Sequence, residues 1–187
     1  MPTRYYLLEQ DLLVPGASAL GDLPEDMDPL DWVQGKVMPP PPNPLRLVLS
    51  ENSGDFRGDI IESLLTLYSD KLKHALTDFG VDNVDYFPVE LEHPETRRIE
   101  VGYWLANVIG LVNCVDLANS TFQQRSSGTG IILESFTIDD TRAPHQPIFR
   151  LDEKATLVVI NEHLKAHLDA AGLAGVRFTR TEEYGGD

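Results

Sequence analysis

Two histidines one helical turn apart are the first residues in this chain whose spacing could do chemistry. His163 and His167 stand at positions i and i+4 of a predicted helix, where both imidazole rings can bind one zinc ion. No glutamate lies between them as in a metalloprotease helix, and no third ligand is evident in the sequence. We therefore expect neither a metal site nor a cofactor, and we interpret the pair as helix histidines beside an apolar stripe.

The single cysteine, Cys114, is the candidate nucleophile. A catalytic thiol needs an activating histidine and an electropositive setting. His145 is a conceivable partner, although nothing in the sequence places it beside Cys114. The apolar run Leu-Val-Asn-Cys-Val at 111–115 predicts a strand, so we expect a buried and inert thiol. One cysteine also excludes an internal disulfide and fits a reducing compartment.

Two pairs of adjacent acids are the remaining catalytic candidates, because paired carboxylates can do general acid–base work. They are Asp139 with Asp140 and Asp152 with Glu153, and both pairs fall at predicted turns, where carboxylates cap backbone amides. The polar segment 122–130 predicts a hairpin-like loop, and its part 126–130 contains glycines but lacks the lysine of a phosphate-binding loop. We predict no catalytic residues. A small cytosolic hydrolase with a cleft between two halves of the chain stays as an alternative hypothesis.

Acidic residues dominate the charge of the chain, with 30 acidic against 15 basic residues and a formal net charge of −15. This balance argues against nucleic-acid binding, which needs clustered Lys and Arg, and it permits a basic protein partner. The acids are densest in the segment that ends at Trp32, and interfaces often combine an aromatic anchor with a charged rim. The predicted partner-binding residues are Asp22, Glu25, Asp26, Asp28, Asp31 and Trp32. The alternative is a solvated acidic loop with Trp32 packed inward.

Nothing in the sequence predicts a membrane span or a signal peptide. The longest uncharged apolar stretch, 101–115, has about 15 residues and is interrupted by Gly and Asn, which is too short and polar to cross a bilayer. Acid at Glu9 interrupts the N-terminal apolar run before a signal-peptide core can form. We therefore expect a cytoplasmic protein. The sequence leaves the oligomeric state open, including a self-associating structural protein that uses an exposed edge strand.

The elements that position these residues include a unit that the chain repeats at an offset of 92 residues, at 69–86 and again at 161–178. Each unit begins with a helix N-cap, Ser69 or Asn161, and carries leucines at i and i+4. Gly80 and Gly172 then fit the left-handed position that ends a helix, and alternating apolar residues predict a strand. Two interpretations stay open, pseudo-symmetric halves of one domain or convergence on a simple helix–strand unit.

The predicted fold class is α+β, a mixed or mostly antiparallel sheet on which the two helix–Gly–strand units pack. We expect one domain over 1–187. Its first part, 1–44, would hold an N-terminal strand and an acidic, proline-rich elaboration, and 45–187 the α+β core. The four-proline run at 39–42 predicts a stiff polyproline connector. The tail from 182 onward, which ends in Gly-Gly-Asp, predicts a frayed terminus.

Several short apolar motifs, taken in their order and spacing, carry a family resemblance. They are Tyr-Phe-Pro-Val at 86–89, Tyr-Trp-Leu-Ala-Asn-Val at 103–108, Val-Asp at 115–116, Ile-Phe-Arg-Leu at 148–151 and the closing helix–Gly–strand unit. With these motifs the chain resembles the myxobacterial-type immunity protein family of bacterial polymorphic toxin systems. The resemblance implies an α+β fold and a non-enzymatic protein that binds and neutralises a cognate toxin. It implies no catalytic residues.

Overall fold

The computed structural model describes residues 2–63, 65–125 and 130–186. It has the predicted α+β class, with two α-helices and twelve strands among these residues. In chain order they are β1 (Tyr5–Gln10), β2 (Leu45–Val48), β3 (Ile60–Glu62), β4 (Thr66–Ser69), α1 (Asp70–Phe79), β5 (Val84–Glu92), β6 (Ile99–Val108), β7 (Leu111–Val112), β8 (Thr121–Gln124), β9 (Ile131–Ser135), β10 (Ile148–Leu151), β11 (Lys154–Asn161), α2 (Glu162–Ala170) and β12 (Val176–Arg180). Short 3-10 helices occupy Pro29–Val33, Leu117–Asn119 and Thr181–Glu183.

The strands form two mixed five-stranded sheets and one hairpin. The first sheet has the order β2-β5-β6-β4-β3, the second sheet has the order β12-β1-β11-β10-β7, and β8 pairs with β9. All pairings are antiparallel except β2 with β5 and β7 with β10, which are parallel. Cys114 lies just beyond β7 rather than inside a strand, because β10, the partner of β7, ends at Leu151, opposite Val112. The predicted strand around Cys114 is therefore wrong in its extent.

Both helices begin at the predicted caps. The Ser69 hydroxyl accepts a hydrogen bond from the Leu72 amide at 3.1 Å, and the Asn161 side chain accepts one from the Leu164 amide at 2.9 Å. These bonds satisfy one of the amides that a helix leaves free in its first turn. After the helices, Gly80 and Gly172 have φ values of 95° and 64°, a left-handed conformation that residues with a Cβ rarely adopt. Cap and terminator are thus local features that the sequence predicts correctly.

Each helix connects two parallel strands that have one antiparallel strand between them. Helix α1 leads from β4 to β5, with β6 between these strands, and α2 leads from β11 to β12, with β1 between them. The intervening strand in the first sheet directly follows β5, whereas in the second sheet it comes from the start of the chain. That the two units are pseudo-symmetric halves stays a prediction.

Each sheet is buried on both faces, which gives three hydrophobic cores. A central core lies between the sheets and includes both helices, since it contains Leu8 and Ile160 from the second sheet and Ile60 and Val108 from the first. Strand alternation sends neighbouring side chains to opposite faces. Thus Leu7 packs in an outer core beneath the chain segment that contains β8 and β9.

The other outer core covers the far face of the first sheet. There the N-terminal elaboration packs Leu20 and Trp32 against Leu47, Leu67 and Leu105. The tail also packs inward, because Tyr184 is 5% exposed and lies edge-to-face against Phe136. The prediction of a frayed tail is therefore wrong at Tyr184. One aromatic ring buries enough apolar surface to hold the end of the chain against the core.

Candidate partner-binding site

The acidic segment that the sequence singles out is ordered by a short 3-10 helix. The Asp28 side chain accepts a hydrogen bond from the Leu30 amide at 2.9 Å, and Pro29 stands in the first position of the helix, where a missing amide hydrogen has no consequence. Four of the predicted acids are exposed and Asp31 is half-buried: Asp22, Glu25, Asp26 and Asp28 are the exposed ones. The structure therefore places the carboxylates at the surface, where they can face another molecule.

Trp32 lies on the opposite side of the same helix. Its side chain is 6% exposed and meets the Phe87 ring edge-to-face, with the ring centroids 5.6 Å apart. A ring that fills this chain's own core is not free to serve as an anchor in a partner. The alternative interpretation, in which Trp32 packs inward, is therefore confirmed, and Trp32 is not an exposed anchor. Only the five acids of this segment remain as candidates for contact with a partner.

The acidic segment and the proline run enclose a groove of about 440 Å³. Asp26, Asp28 and Asp31 line it together with the prolines at 39–42, whereas Asp22 and Glu25 of the same segment do not. The other lining residues are Arg46 and the apolar Pro24, Met27, Trp32, Met38, Pro44 and Leu45. We call this surface the acidic groove. The sequence predicts the proline run as a stiff connector, and in the structure this run lines the groove. The groove itself was missed, because the acids and the prolines meet only through the fold.

The residues that line the acidic groove carry a net negative charge, from three aspartates against Arg46. Lys36 Nζ lies 3.8 Å from Asp31 Oδ1, and the guanidinium of Arg46, which lines the groove, lies 2.8 Å from a carboxylate oxygen of Glu90. Asp26 and Asp28 form no ion pair among the residues that the structure describes. Carboxylates at a rim above an apolar lining suit the long side chains of Lys and Arg, whose aliphatic stems pack on apolar surface while the charge stays near water.

The histidine pair belongs to the helix packing. His163 is exposed, whereas His167 is half-buried, with its Nε2 3.0 Å from the Ala75 carbonyl oxygen and its ring 5.3 Å from the Phe79 ring. His167 therefore joins α2 to α1. Within the described parts of the chain, no group of three His, Cys, Asp or Glu side chains is placed to hold a metal ion.

Cys114 is fully buried, as its apolar neighbourhood predicts. Burial, together with the charge of Glu153, raises the pKa of the thiol to about 12. Such a thiol stays protonated at neutral pH, and a thiol without its thiolate form is a poor nucleophile. His145 is exposed at the surface.

Three of the four paired acids accept a hydrogen bond from a backbone amide, as predicted, and the fold brings a member of each pair close to Cys114. Asp139 accepts hydrogen bonds from the Thr141 hydroxyl at 2.6 Å, from Arg142 Nε at 2.8 Å and from the Thr141 amide at 2.9 Å, which together lower its pKa to about 2. Glu153 accepts one from the Val115 amide at 3.0 Å.

The other two members of these pairs, Asp140 and Asp152, accept hydrogen bonds from different partners. Asp140 accepts from the Thr3 amide and the Tyr5 hydroxyl, both at 3.0 Å, and Asp152 accepts from Asn113 at 3.4 Å. Burial, with a contribution from the hydrogen bond to Asp140, raises the pKa of Tyr5 to about 12. Of the loop predicted at 122–130, residues 126–129 lie outside the described residues, and the prediction is wrong at 122–124, which pair with β9 as part of β8.

Neither helix in the described residues combines the length and the apolar character that a membrane crossing requires.

No curated protein shows significant similarity to the chain. The sequence model of the immunity protein family Imm11 matches residues 2–183, and so spans both sheets, both helices and the acidic groove. On this match over nearly its whole length, the chain belongs to the Imm11 family of immunity proteins.

Proposed function

We propose that this protein binds a cognate bacterial toxin and neutralises it by occupying its surface, without catalysis, in the cytoplasm of the cell that makes the toxin. The observation that carries the proposal is the family match over residues 2–183. The surroundings of the catalytic candidates support it, since the buried Cys114 thiol is kept protonated and Asp139 and Glu153 accept hydrogen bonds from backbone amides.

The acidic groove is the surface that we assign to the toxin. Its rim of carboxylates and its apolar lining suit a segment of the toxin that carries Lys or Arg. The net charge of −15 attracts a basic partner from a distance before any contact forms. Charges at a rim mainly accelerate association, and salt weakens their effect.

Co-expression with the toxin gene that neighbours its own gene tests the function. We expect survival of the cells, and a complex of the two purified proteins on gel filtration. If the toxin still kills in the presence of the folded protein and no complex forms, the proposed function is wrong.

A charge-neutralised variant tests the assignment of the groove. Asp22→Asn, Glu25→Gln, Asp26→Asn, Asp28→Asn and Asp31→Asn together should slow association with the toxin and flatten its dependence on salt, because the rim then attracts a basic segment less. Stopped-flow association at several NaCl concentrations measures both quantities. Circular dichroism establishes that the variant folds, which matters because Asp28 caps the 3-10 helix.

A matched control separates the groove from total charge. Neutralising five exposed acids elsewhere removes the same charge and leaves the groove intact; suitable positions are Glu51, Asp78, Asp82, Glu95 and Glu183. We expect association of this control to slow much less. Equal slowing in both variants would show that net charge alone steers the toxin, and would remove the groove from the interface.

A further inference from the structure

A second cavity, of about 400 Å³, lies between the two sheets beside the 3-10 helix Pro29–Val33. Glu62 and Thr66 line it from the first sheet, and Leu8 and Arg150 line it from the second. Leu30, which is 66% exposed, lies at the side of the cavity that the 3-10 helix forms. This cavity shares no lining residue with the acidic groove.

Arg150 is the residue that makes the cavity unusual. It is 2% exposed, and strand alternation places its side chain on the same face of β10 as Ile148, between the two sheets. A guanidinium carries five N–H donors. One donor, from Nη1, reaches the Ala155 carbonyl at 3.0 Å, whereas the buried Nε has no hydrogen-bond partner among the described residues.

No carboxylate of the described residues lies within 4.0 Å of the Arg150 guanidinium. Burial lowers the pKa of Arg150, but an arginine keeps its charge at neutral pH. A buried cation without a close counterion is strongly unfavourable, and so is a buried N–H without an acceptor. A ligand that brings both a negative charge and acceptor oxygens would relieve both costs.

The other charged groups around the cavity restrict what this ligand can be. Glu62 and Glu9 line the cavity along with Arg150 and Lys154, and Lys154 directs its ammonium group to the Tyr184 hydroxyl. A doubly charged phosphate would face strong repulsion from the two glutamates. A singly charged carboxylate matches the planar fork of one guanidinium. The apolar walls that Leu8 and Leu157 form would hold an aliphatic stem.

We propose that this cavity binds a carboxylate on an aliphatic stem, held by hydrogen bonds from the guanidinium of Arg150. Such a group can come from a free short-chain carboxylic acid or from an acidic side chain of a bound protein. If the ligand is a free acid, the proposal does not depend on the proposed toxin-neutralising function.

Glu62 makes this binding sensitive to pH. Burial and the charge of Glu9 raise the pKa of Glu62, while a hydrogen bond from the Gln10 amide and the charges of Arg150 and Arg177 lower it, with a net increase. An anion in the cavity raises this pKa further, so binding is coupled to uptake of a proton by Glu62. Affinity for a carboxylate should therefore increase as the pH falls, down to the pH at which the ligand itself becomes protonated.

Sodium butyrate is a suitable probe, with sodium chloride at equal ionic strength as the control. We expect butyrate to bind the wild-type protein in calorimetric titrations, and to bind the Arg150→Met variant roughly tenfold to hundredfold more weakly, because hydrogen bonds to a charged group are lost. Glu62→Gln should bind butyrate more tightly at pH 7 and lose most of the pH dependence. Equal affinity in the wild type and in Arg150→Met, or no binding to the wild type, would overturn the proposal.

A second test uses only the wild-type protein and follows the NMR resonance of the Arg150 Nε–H. Titration with butyrate should shift this resonance, and an unchanged resonance at saturating butyrate would overturn the proposal. Competition then identifies the source of the carboxylate. If butyrate displaces the toxin, the natural ligand is an acidic side chain of the toxin; if butyrate and toxin bind together, it is a free acid.

Discussion

Cys114 shows how one residue's surroundings determine its chemistry. The thiol is 0% exposed, and burial raises its pKa to about 12. We predict that iodoacetamide at pH 8 does not modify Cys114 in the folded protein and modifies it fully in urea, because only unfolding exposes the thiol and restores its ordinary pKa. Mass spectrometry of the intact protein measures both reactions. Native modification at the rate seen in urea would contradict the burial.

Asp139 links a single turn to acid stability. Hydrogen bonds from Thr141 and Arg142 lower its pKa from 3.8 to about 2 in the folded protein. A carboxyl with a depressed pKa stabilises the fold above its unfolded pKa, and this contribution is lost as the pH falls toward the folded value.

We therefore predict that Asp139→Asn lowers the urea midpoint at pH 6, and that its difference from the wild type shrinks between pH 4 and pH 2. Asp82→Asn, at an exposed position, is the matched control and should change the midpoint little at either pH. A difference that stays constant over this range would contradict the role of the Asp139 charge.

At the scale of elements, the two helices carry matching lysines. Lys73 Nζ lies 3.1 Å from the ring centroid of Trp104, on the strand that separates β4 from β5. Lys165 Nζ lies 5.5 Å from the ring centroid of Tyr6, on the strand that separates β11 from β12. The same kind of cation–π contact thus forms at equivalent positions of both units. This agreement supports the proposal that the units are pseudo-symmetric halves.

The leucine stripes of the two helices lead to a paired prediction. Leu76 and Leu168 are both 0% exposed and belong to the central core. We predict that Leu76→Ala and Leu168→Ala each lower the free energy of unfolding by roughly 2–5 kcal/mol, the range for removing a buried leucine side chain. Urea denaturation measures both values. A loss below about 1 kcal/mol at either position would mean that its helix does not pack as described.

At the scale of the whole molecule, the first strand of the chain completes the second sheet. Strand β1 pairs with β11 on one side and with β12 on the other, and Leu7 and Leu8 enter two different cores. Without β1, the elements after residue 44 would therefore form a second sheet in which β12 has no neighbouring strand. On this ground we propose that 1–187 forms one domain.

Deletion of residues 2–10 tests this proposal. We predict that it unfolds the protein, because β11 and β12 lose their common partner and two cores lose their leucines. Deletion of 185–187 is the matched control and should leave the fold intact. Circular dichroism distinguishes the two results. A folded protein without residues 2–10 would show that the second sheet forms without β1.

A comparison of unfolding transitions followed by two signals is an independent test that 1–187 forms one domain. Trp32 and Trp104 both pack on or within the first sheet, so their fluorescence reports that half of the molecule. Circular dichroism reports both sheets. We predict one urea midpoint from both signals, as expected for a single cooperative unit. Separate midpoints would contradict the single domain.

The sequence by itself determined the features that depend on near neighbours along the chain. The helix caps Ser69 and Asn161, the glycines at 80 and 172 and most strands follow from bonds and periodicities within a few residues. The position of the acids at the surface follows in the same way, because carboxylates are rarely buried without a partner. The family was also within reach, since the order and spacing of short motifs are properties of the chain alone.

Tertiary structure decided which distant residues meet. The acidic groove needs the segment 22–32 to lie against the proline run, and the proposed carboxylate site needs Arg150 and Glu62, almost ninety residues apart in the chain, to line one cavity. In the sequence Arg150 is one charged residue within a short apolar strand, and only the sheet-on-sheet packing buries its guanidinium. The hydrophobic effect is not directional and stabilises any pairing of complementary apolar faces. A local sequence pattern therefore does not specify which face a strand will pack against.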